Sequence, residues 1–269
     1  MTGEDGGPAG AEQRVALAVV VPMLDERAVA EKCVQRITGM LSSLVPPGVL
    51  VVVDDGSTDG TGTLLDDFST KYSGLSVVHH EHNLGYGAAL KSGAGAAATI
   101  GANWVLFMDS DLTNPPEDIV RFVEAAAGPV DYVKASRYAP GGQVRGVPLG
   151  RRMISQAGNA FARLLFRLPL SDLTNGFRAV RLEPFMQMPL SERGFPIIME
   201  EAYWVSRMGL RATEIPTVLS NRDNQLRQSS FRYRPGVFLS YGRYPWAAFA
   251  ERVTGRGPRV PPLDGGGRK

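Results

Sequence analysis

Five short apolar runs alternate with stretches of helical periodicity through the first half of the chain, and this alternation restricts the fold more than any other feature. The runs cover residues 15–21, 49–53, 75–78, 104–108 and 132–135. They are rich in β-branched residues and nearly continuous in hydrophobicity, as strands covered on both faces must be. Between the first two, Asp25 or Glu26 opens a segment in which Val29, Cys33, Ile37 and Leu41 share one helical face, and Pro46-Pro47-Gly48 stops it. Leu64, Leu65 and Phe68 mark a second helix. Residues 86–100 form a third, whose many alanines and glycines allow close packing on a sheet. Regular strand–helix alternation implies an α/β fold with a mostly parallel sheet between helices.

Two of these strands end in paired acids. The fourth runs into Asp109-Ser110-Asp111 and the second into Asp54-Asp55-Gly56-Ser57. Open α/β sheets bind ligands at the C-terminal ends of their strands. Two adjacent carboxylates repel, and a hard divalent cation with oxygen ligands relieves that repulsion. The same residues also serve as local structure. Thr113 and Asn114, ahead of Pro115-Pro116, can cap a following helix, and Asp54 can form an Asx turn. A carboxylate at the second edge suits base N–H or ribose hydroxyl groups. No glycine-rich phosphate loop follows the first strand, and Gly85-Tyr86-Gly87 lacks a third glycine, which argues against a dinucleotide fold. A diphosphate then needs metal and arginine, which Asp109, Asp111, Arg137 and Arg222 can supply.

The 269 residues, 43% of them hydrophobic, suffice for one large domain, and a formal charge of +2 does not imply nucleic-acid binding. Lysine occurs only at positions 32, 71, 91, 134 and 269, so arginine carries nearly all positive charge. Cys33 is the sole cysteine, which excludes an intrachain disulfide and fits a reducing, cytoplasmic compartment. No apolar stretch reaches the ~20 residues a bilayer crossing requires. In the second half, residues 141–150 read as a Gly/Pro loop, 153–166 as a helix, 175–180 as a strand and 198–208 as a helix containing Glu200 and Glu201.

Several motifs together carry a resemblance. Val19-Val20-Val21-Pro22 with Glu26, and Val51-Val52-Val53-Asp54-Asp55-Gly56-Ser57-Thr58-Asp59-Gly60-Thr61, resemble the opening of the inverting family 2 glycosyltransferases of GT-A fold. Asn83, Gly85, Ala88 and Gly93 match the segment before the Asp-x-Asp. Ser136-Arg137-Tyr138, Arg151 with Ile154-Ser155 and Asn159, Asp172-x-Thr174-x-Gly176-Phe177-Arg178, and Phe195 with Glu200 are similar to the dolichol-phosphate (polyprenyl-phosphate) mannosyltransferase branch. The similarity covers about residues 15–230 and is specific in combination.

The resemblance implies a GT-A (Rossmann-like) mostly parallel sheet flanked by helices, with a mixed, acceptor-side C-terminal half. Pro22, Leu24, Glu26, Val53, Asp54 and Asp55 would line the nucleotide site, with Asp109, Ser110 and Asp111 beside them. Asp109 and Asp111 would hold Mg2+ or Mn2+. Arg137, Arg151 and Ser155 would meet the acceptor phosphate, while Arg137 and Arg222 face the donor diphosphate. The donor is GDP-mannose by preference, with a UDP-sugar as the other candidate, and the acceptor a polyprenyl phosphate. A phosphate acceptor needs no general base; a hydroxyl acceptor would want one, and Glu200 is the candidate. The chain departs from the family pattern in three places. Leu24-Asp25-Glu26 replaces Tyr-Asn-Glu, Thr113-Asn114 replaces Gln-His, and the late Arg-x-x-Gly-x-Ser-Lys appears as a longer Arg222 to Ser230 stretch with Arg227 in place of the lysine. Two other readings therefore stand beside the lead: transfer to a soluble hydroxyl acceptor, and a non-catalytic nucleotide-sugar-binding homologue.

The expected organisation is a disordered tail over 1–13, a transferase domain over 14–230, a helical segment over 231–254 and a second tail over 255–269. The helical segment mixes Tyr241, Tyr244, Trp246 and Phe249 with arginines. It lies in the inner membrane interface, making the protein peripheral, or packs on the catalytic core, with Pro235 and Pro245 breaking its amphipathic pattern. His79-His80-Glu81-His82 looks like a metal cluster, but neighbouring strand residues point to opposite faces. Gly141-Gly142 falls in a loop that can serve as a lid over the acceptor.

Overall fold

The computed structural model describes residues 16–144, 149–219 and 235–258. The expected tail over 1–13 and the whole of 222–230, with Arg222 and Arg227, lie outside them. In chain order the elements are β1 (Leu17–Met23), α1 (Arg27–Ser42), β2 (Val49–Asp54), α2 (Thr61–Lys71), β3 (Leu75–His79), α3 (Tyr86–Thr99) and β4 (Trp104–Phe107). A 3-10 turn (Pro116–Asp118), α4 (Ile119–Ala126), β5 (Tyr132–Ser136), β6 (Gln143–Val144) and α5 (Leu149–Phe166) follow. Then come β7 (Arg178–Arg181), α6 (Leu182–Gln187), α7 (Ile197–Arg207), β8 (Ala212–Pro216), β9 (Val218–Leu219) and α8 (Pro235–Thr254).

Seven strands form one sheet in the order β3-β2-β1-β4-β7-β5-β8. All neighbours pair in parallel except β7, which runs antiparallel between β4 and β5. The α/β class and mostly parallel sheet expected from the sequence are present, with the mixed pairing confined to the second half. Side chains alternate between two cores. Val20, Val51, Val53, Val105 and Phe107 face α3, α6 and α7, while Val19, Val21, Val52, Leu106 and Met108 face α1 and α4. Small residues let α3 lie directly on the sheet: a Cβ on Gly93 would stand 2.3 Å from Val20 Cγ1.

Several local expectations need correction. Residues 141–150 are not all loop, because Gln143 and Val144 pair with Val218 and Leu219, and α5 begins at Leu149. The strand expected over 175–180 starts only at Arg178, since Asn175 Oδ1 accepts the Phe177 amide (3.1 Å) and bends the chain before it. α8 runs on through Pro245, halfway along it, as the helical segment expected there, and its Tyr244 and Ala248 are buried in the core beside α7 and α5.

Candidate active site

Register brings the two acidic edges together. Pro22 pairs with Val53 and Met23 with Asp54, while Val20 pairs with Phe107, so β1, β2 and β4 release their chains at the same end of the sheet. The Asp55 amide donates to Met23 O at 2.8 Å and ties those ends. Non-glycine residues with positive φ occur at both edges, Asp25 (53°) and Leu112 (52°), a conformation that side chains rarely adopt and that clusters at functional sites.

At the nucleotide edge, Val53 is fully buried within the sheet, while Pro22, Leu24 and Glu26 are partly exposed above it. The two aspartates are nearly buried and heavily engaged. Asp54 accepts the Ser57 amide (3.0 Å) and meets His79 Nδ1 (3.1 Å). Asp55 accepts the Leu84 and Gly85 amides (both 2.9 Å) and meets His80 Nδ1 at 2.6 Å. Asp54 thus forms the local turn that its sequence context allows, and Asp55 anchors the loop leading into α3. The histidines serve these acids: His79 also meets Asp66, and His80 meets Ser92. Burial disfavours a charged His79, but the Asp54 and Asp66 carboxylates outweigh it and raise its pKa above the ordinary value.

Asp109 and Asp111 follow β4. Asp111 Oδ1 accepts the Thr113 amide (3.0 Å) and hydroxyl (2.9 Å), so Thr113 orients this carboxylate. Asp109 Oδ1 accepts the Tyr86 hydroxyl at 3.2 Å. Beside it Gly176 keeps space open: a Cβ there would stand 3.4 Å from Asp109 Oδ2 and 3.3 Å from the Tyr86 oxygen. Ser110 is buried between the two acids. Two carboxylates around a glycine-lined opening fit Mg2+ or Mn2+, which commonly takes one or two protein carboxylates and completes its shell from substrate phosphates.

Of the residues expected to meet the acceptor, Arg137 is bound to the segment 172–178. Arg137, at the end of β5, grips Asp172 through Nε (2.6 Å) and Nη2 (2.9 Å), and Nη2 also donates to Thr174 Oγ1 (2.9 Å). Burial alone would raise the Asp172 pKa, but the Arg137 charge prevails and lowers it. Ser155 Oγ accepts the Tyr138 hydroxyl at 2.9 Å. Asn159, one turn later on α5, accepts the Leu173 amide (2.7 Å) and fixes α5 to the segment. Arg151 lies one turn before Ser155 on α5. Gly176 faces Asp109 while Thr174 holds Arg137, so the segment 172–178 connects these two groups.

Glu200 sits elsewhere in the arrangement. Its buried carboxylate accepts the Ser191 amide (2.9 Å) and hydroxyl (2.7 Å) and the Glu192 amide (2.8 Å). It therefore clamps the loop whose Arg193 carbonyl accepts the Gly87 amide (2.7 Å) and whose Phe195 stacks on Tyr86 at 4.6 Å. Sequence reasoning passed over Tyr86 as part of an incomplete glycine motif, and it gave Asp172 and Asn159 no role of their own.

Residues 18–188 match the family described as Glycosyl transferase family 2. The polyprenol monophosphomannose synthase of Mycolicibacterium smegmatis is 30% identical over 225 residues, which cover 82% of this chain and 83% of that protein. The undecaprenyl-phosphate mannosyltransferase of Micrococcus luteus is 32% identical over 188 residues, covering 69% and 77% respectively. Among solved structures, glucosyl-3-phosphoglycerate synthase from Mycobacterium tuberculosis, in complex with Mn2+, uridine diphosphate and phosphoglyceric acid, aligns with a TM-score of 0.61 at 24% identity. That alignment covers 89% of this chain and 79% of the other, and it shows a shared GT-A-like fold.

Proposed function

The chain belongs to glycosyl transferase family 2 and is a nucleotide-sugar-dependent glycosyltransferase, and from that premise we propose that it transfers a hexose, mannose first, to a polyprenyl phosphate with inversion. The observation that carries this reading is the segment 172–178, which lies against the Asp109 carboxylate at Gly176 and holds the Arg137 guanidinium through Asp172 and Thr174. One side suits a diphosphate-bound cation and the other an anionic acceptor.

Asp109 and Asp111 hold Mg2+ or Mn2+, which when bound supplies charge stabilisation for the departing nucleoside diphosphate. Pro22, Leu24, Glu26, Val53, Asp54 and Asp55 form the nucleotide edge, and Arg222 adds charge for the diphosphate. Arg137, Arg151 and Ser155 orient the acceptor phosphate, whose oxygen attacks the anomeric carbon from the face opposite the leaving group. That oxygen is already anionic, so no base is required, in keeping with a Glu200 committed to its loop.

The lipid character of the acceptor is supported by the surface next to Ser155. An open groove of about 680 Å3 is lined by Tyr138 and Ser171, by Ala160 and Arg163 of α5, and by Arg167 and Leu168 just after that helix. Beyond it, Met153, Phe161 and Leu164 of α5 and Trp246, Phe249 and Val253 of α8 are exposed apolar side chains, with the Phe161 and Trp246 rings 5.5 Å apart. Among the described residues no helix is long and apolar enough to cross a membrane. The protein accordingly meets the inner membrane face as a peripheral enzyme, through α5 and α8 together.

Incubation with GDP-mannose, UDP-glucose or UDP-N-acetylglucosamine, a polyprenyl phosphate and Mg2+ or Mn2+ tests the reading, and a glycosylated lipid is expected. The absence of lipid product with every donor overturns the acceptor assignment. Asp111→Asn should abolish metal-dependent turnover while leaving the melting temperature nearly unchanged, and undiminished turnover overturns the metal assignment. A second reading, transfer to a small soluble acceptor, draws on the fold shared with glucosyl-3-phosphoglycerate synthase. Product formed from 3-phosphoglycerate but not from lipid phosphate would favour it.

A further inference from the structure

Behind Asp109 lies a fully buried ion pair. Arg178 on β7 and Glu201 on α7 are both inaccessible to solvent, joined Nε to Oε1 and Nη2 to Oε2 at 2.7 Å each. Desolvating two charges offsets most of their attraction, and apolar residues of similar volume often serve stability as well or better. The pair therefore calls for a reason other than stability, and its remaining contacts point to one. Arg178 Nη1 donates to the Gly176 carbonyl at 2.7 Å. Its guanidinium lies 4.6 Å from the ring centre of Phe107, two residues before Asp109. The Gly176 backbone that Arg178 holds lies against the Tyr86 hydroxyl, which donates to Asp109 Oδ1 at 3.2 Å.

We propose that the Arg178–Glu201 pair is a positioning unit for the metal carboxylate. It holds the Tyr86 hydroxyl, the Gly176 peptide and the end of β4 in one arrangement, and so sets the direction in which Asp109 faces the donor diphosphate. Glu201 fixes the guanidinium plane by its two-pronged grip. Arg178 passes that orientation to the Gly176 peptide, which lies against both the Tyr86 hydroxyl and the Asp109 carboxylate that the hydroxyl bonds. Neither Arg178 nor Glu201 touches substrate. The stacked Phe195 holds the Tyr86 ring from the opposite side, so the hydroxyl has one direction in which to point.

The inference rests on Asp109 as a metal ligand. It is tested by measuring Mn2+ affinity through the electron paramagnetic resonance signal of the free ion. Nucleoside diphosphate affinity is measured by calorimetry with and without Mn2+. The proteins compared are the wild type, Tyr86→Phe and the double variant Arg178→Met with Glu201→Met. Partners that orient metal ligands typically contribute 10–100-fold in affinity, so each variant should bind Mn2+ about tenfold or more weakly. Nucleotide binding without metal should stay at the wild-type value, and kcat should fall more than KM changes. Tyr86→Phe removes one hydroxyl from a ring that remains stacked, so it reports even if the double variant does not fold. Wild-type Mn2+ affinity in Tyr86→Phe, or in a folded double variant, overturns the proposal. A wild-type protein that binds nucleotide but no Mn2+ overturns the metal assignment and the proposal with it. Weakened Mn2+ binding in a wild-type background that glycosylates only soluble acceptors upholds the positioning unit and overturns the lipid acceptor instead.

Discussion

Lys134 occupies β5 at zero exposure, donating to the Asn175 carbonyl at 2.8 Å and, more weakly, to the Tyr132 hydroxyl at 3.4 Å. Burial, and then the nearby Arg178 charge, pushes its pKa down to about 7, while Glu201 and Asp172 pull the other way. In the unfolded chain this amine keeps its proton to about pH 10.5. Between those values the unfolded state binds more protons, so the Lys134 contribution makes stability rise with pH, and the burial cost is present in full below pH 7. Above the ordinary thiol value of 9.0 the buried Cys33, whose pKa burial raises, works in the opposite direction. Lys134→Met should therefore flatten the increase in melting temperature between pH 7 and pH 9, and an unchanged slope would refute the assignment. At this scale the sequence singled out Asp109 and Asp111 by their spacing after a strand, and Arg137 and Ser155 by the motifs that carry the family resemblance. It concealed those defined by distant partners. Tyr86 meets Asp109 across 23 positions, and so does Arg178 with Glu201. Glu200 was legible as an acid on a helix, but the backbone amides that occupy it carry no mark in the sequence.

Among the elements, α3 shows how tightly the donor half is built. Gly93 touches Val20 of β1, and a Cβ there would also stand 3.1 Å from Val53 Cγ2 of β2. Neither neighbour can retreat, because both are central, fully buried sheet residues. Gly93→Val should cost at least ~1–3 kcal/mol, the range for overpacking a core. Urea unfolding measures this, and a change within experimental error would show that α3 can shift outward. The alanine and glycine content of 86–99 made this helix readable, as β-branched runs did β1, β2 and β4. Elements that announce themselves less were missed. α4 is only eight residues long, and α6 only six. β8 is an edge strand, half-exposed, ending in Pro216 and carrying Glu214, so it lacks the continuous hydrophobicity of its neighbours. That Glu214 is bound to Ser171 is a tertiary fact no local pattern reports.

Considered as a whole, the molecule segregates its exposed apolar groups. Six of the nine large hydrophobic side chains exposed among the described residues belong to α5 and α8. α5 contains no acidic residue. In α8 the only one, Glu251, is taken up by Tyr203 and Arg207. Arg163, Arg167 and Arg252 border the apolar area, a composition suited to an anionic bilayer. Phe161→Ser with Trp246→Ser and Phe249→Ser should weaken sedimentation with phosphatidylglycerol vesicles by about tenfold, since each large side chain contributes ~1.5–3 kcal/mol when fully buried and less at an interface. The same variant should raise KM for a long-chain polyprenyl phosphate more than for a short, water-soluble prenyl phosphate. Equal effects on both acceptors would refute a membrane role for this face.

The four residues of β7 are the sole strand joining β1 to β4 with β5 and β8. A single reversed strand is therefore a seam. In the proposed function, one side carries the residues assigned to the sugar nucleotide, and the other the helix and strands assigned to the acceptor. Hydrogen bonds cross the seam through backbone atoms, which tolerate side-chain replacement on the far side as long as Arg178 to Arg181 keep their register with Trp104 to Phe107. A scaffold divided in this way can exchange its acceptor while its donor chemistry stays fixed, and chimeras joined within β7 are the natural place to look for new specificities.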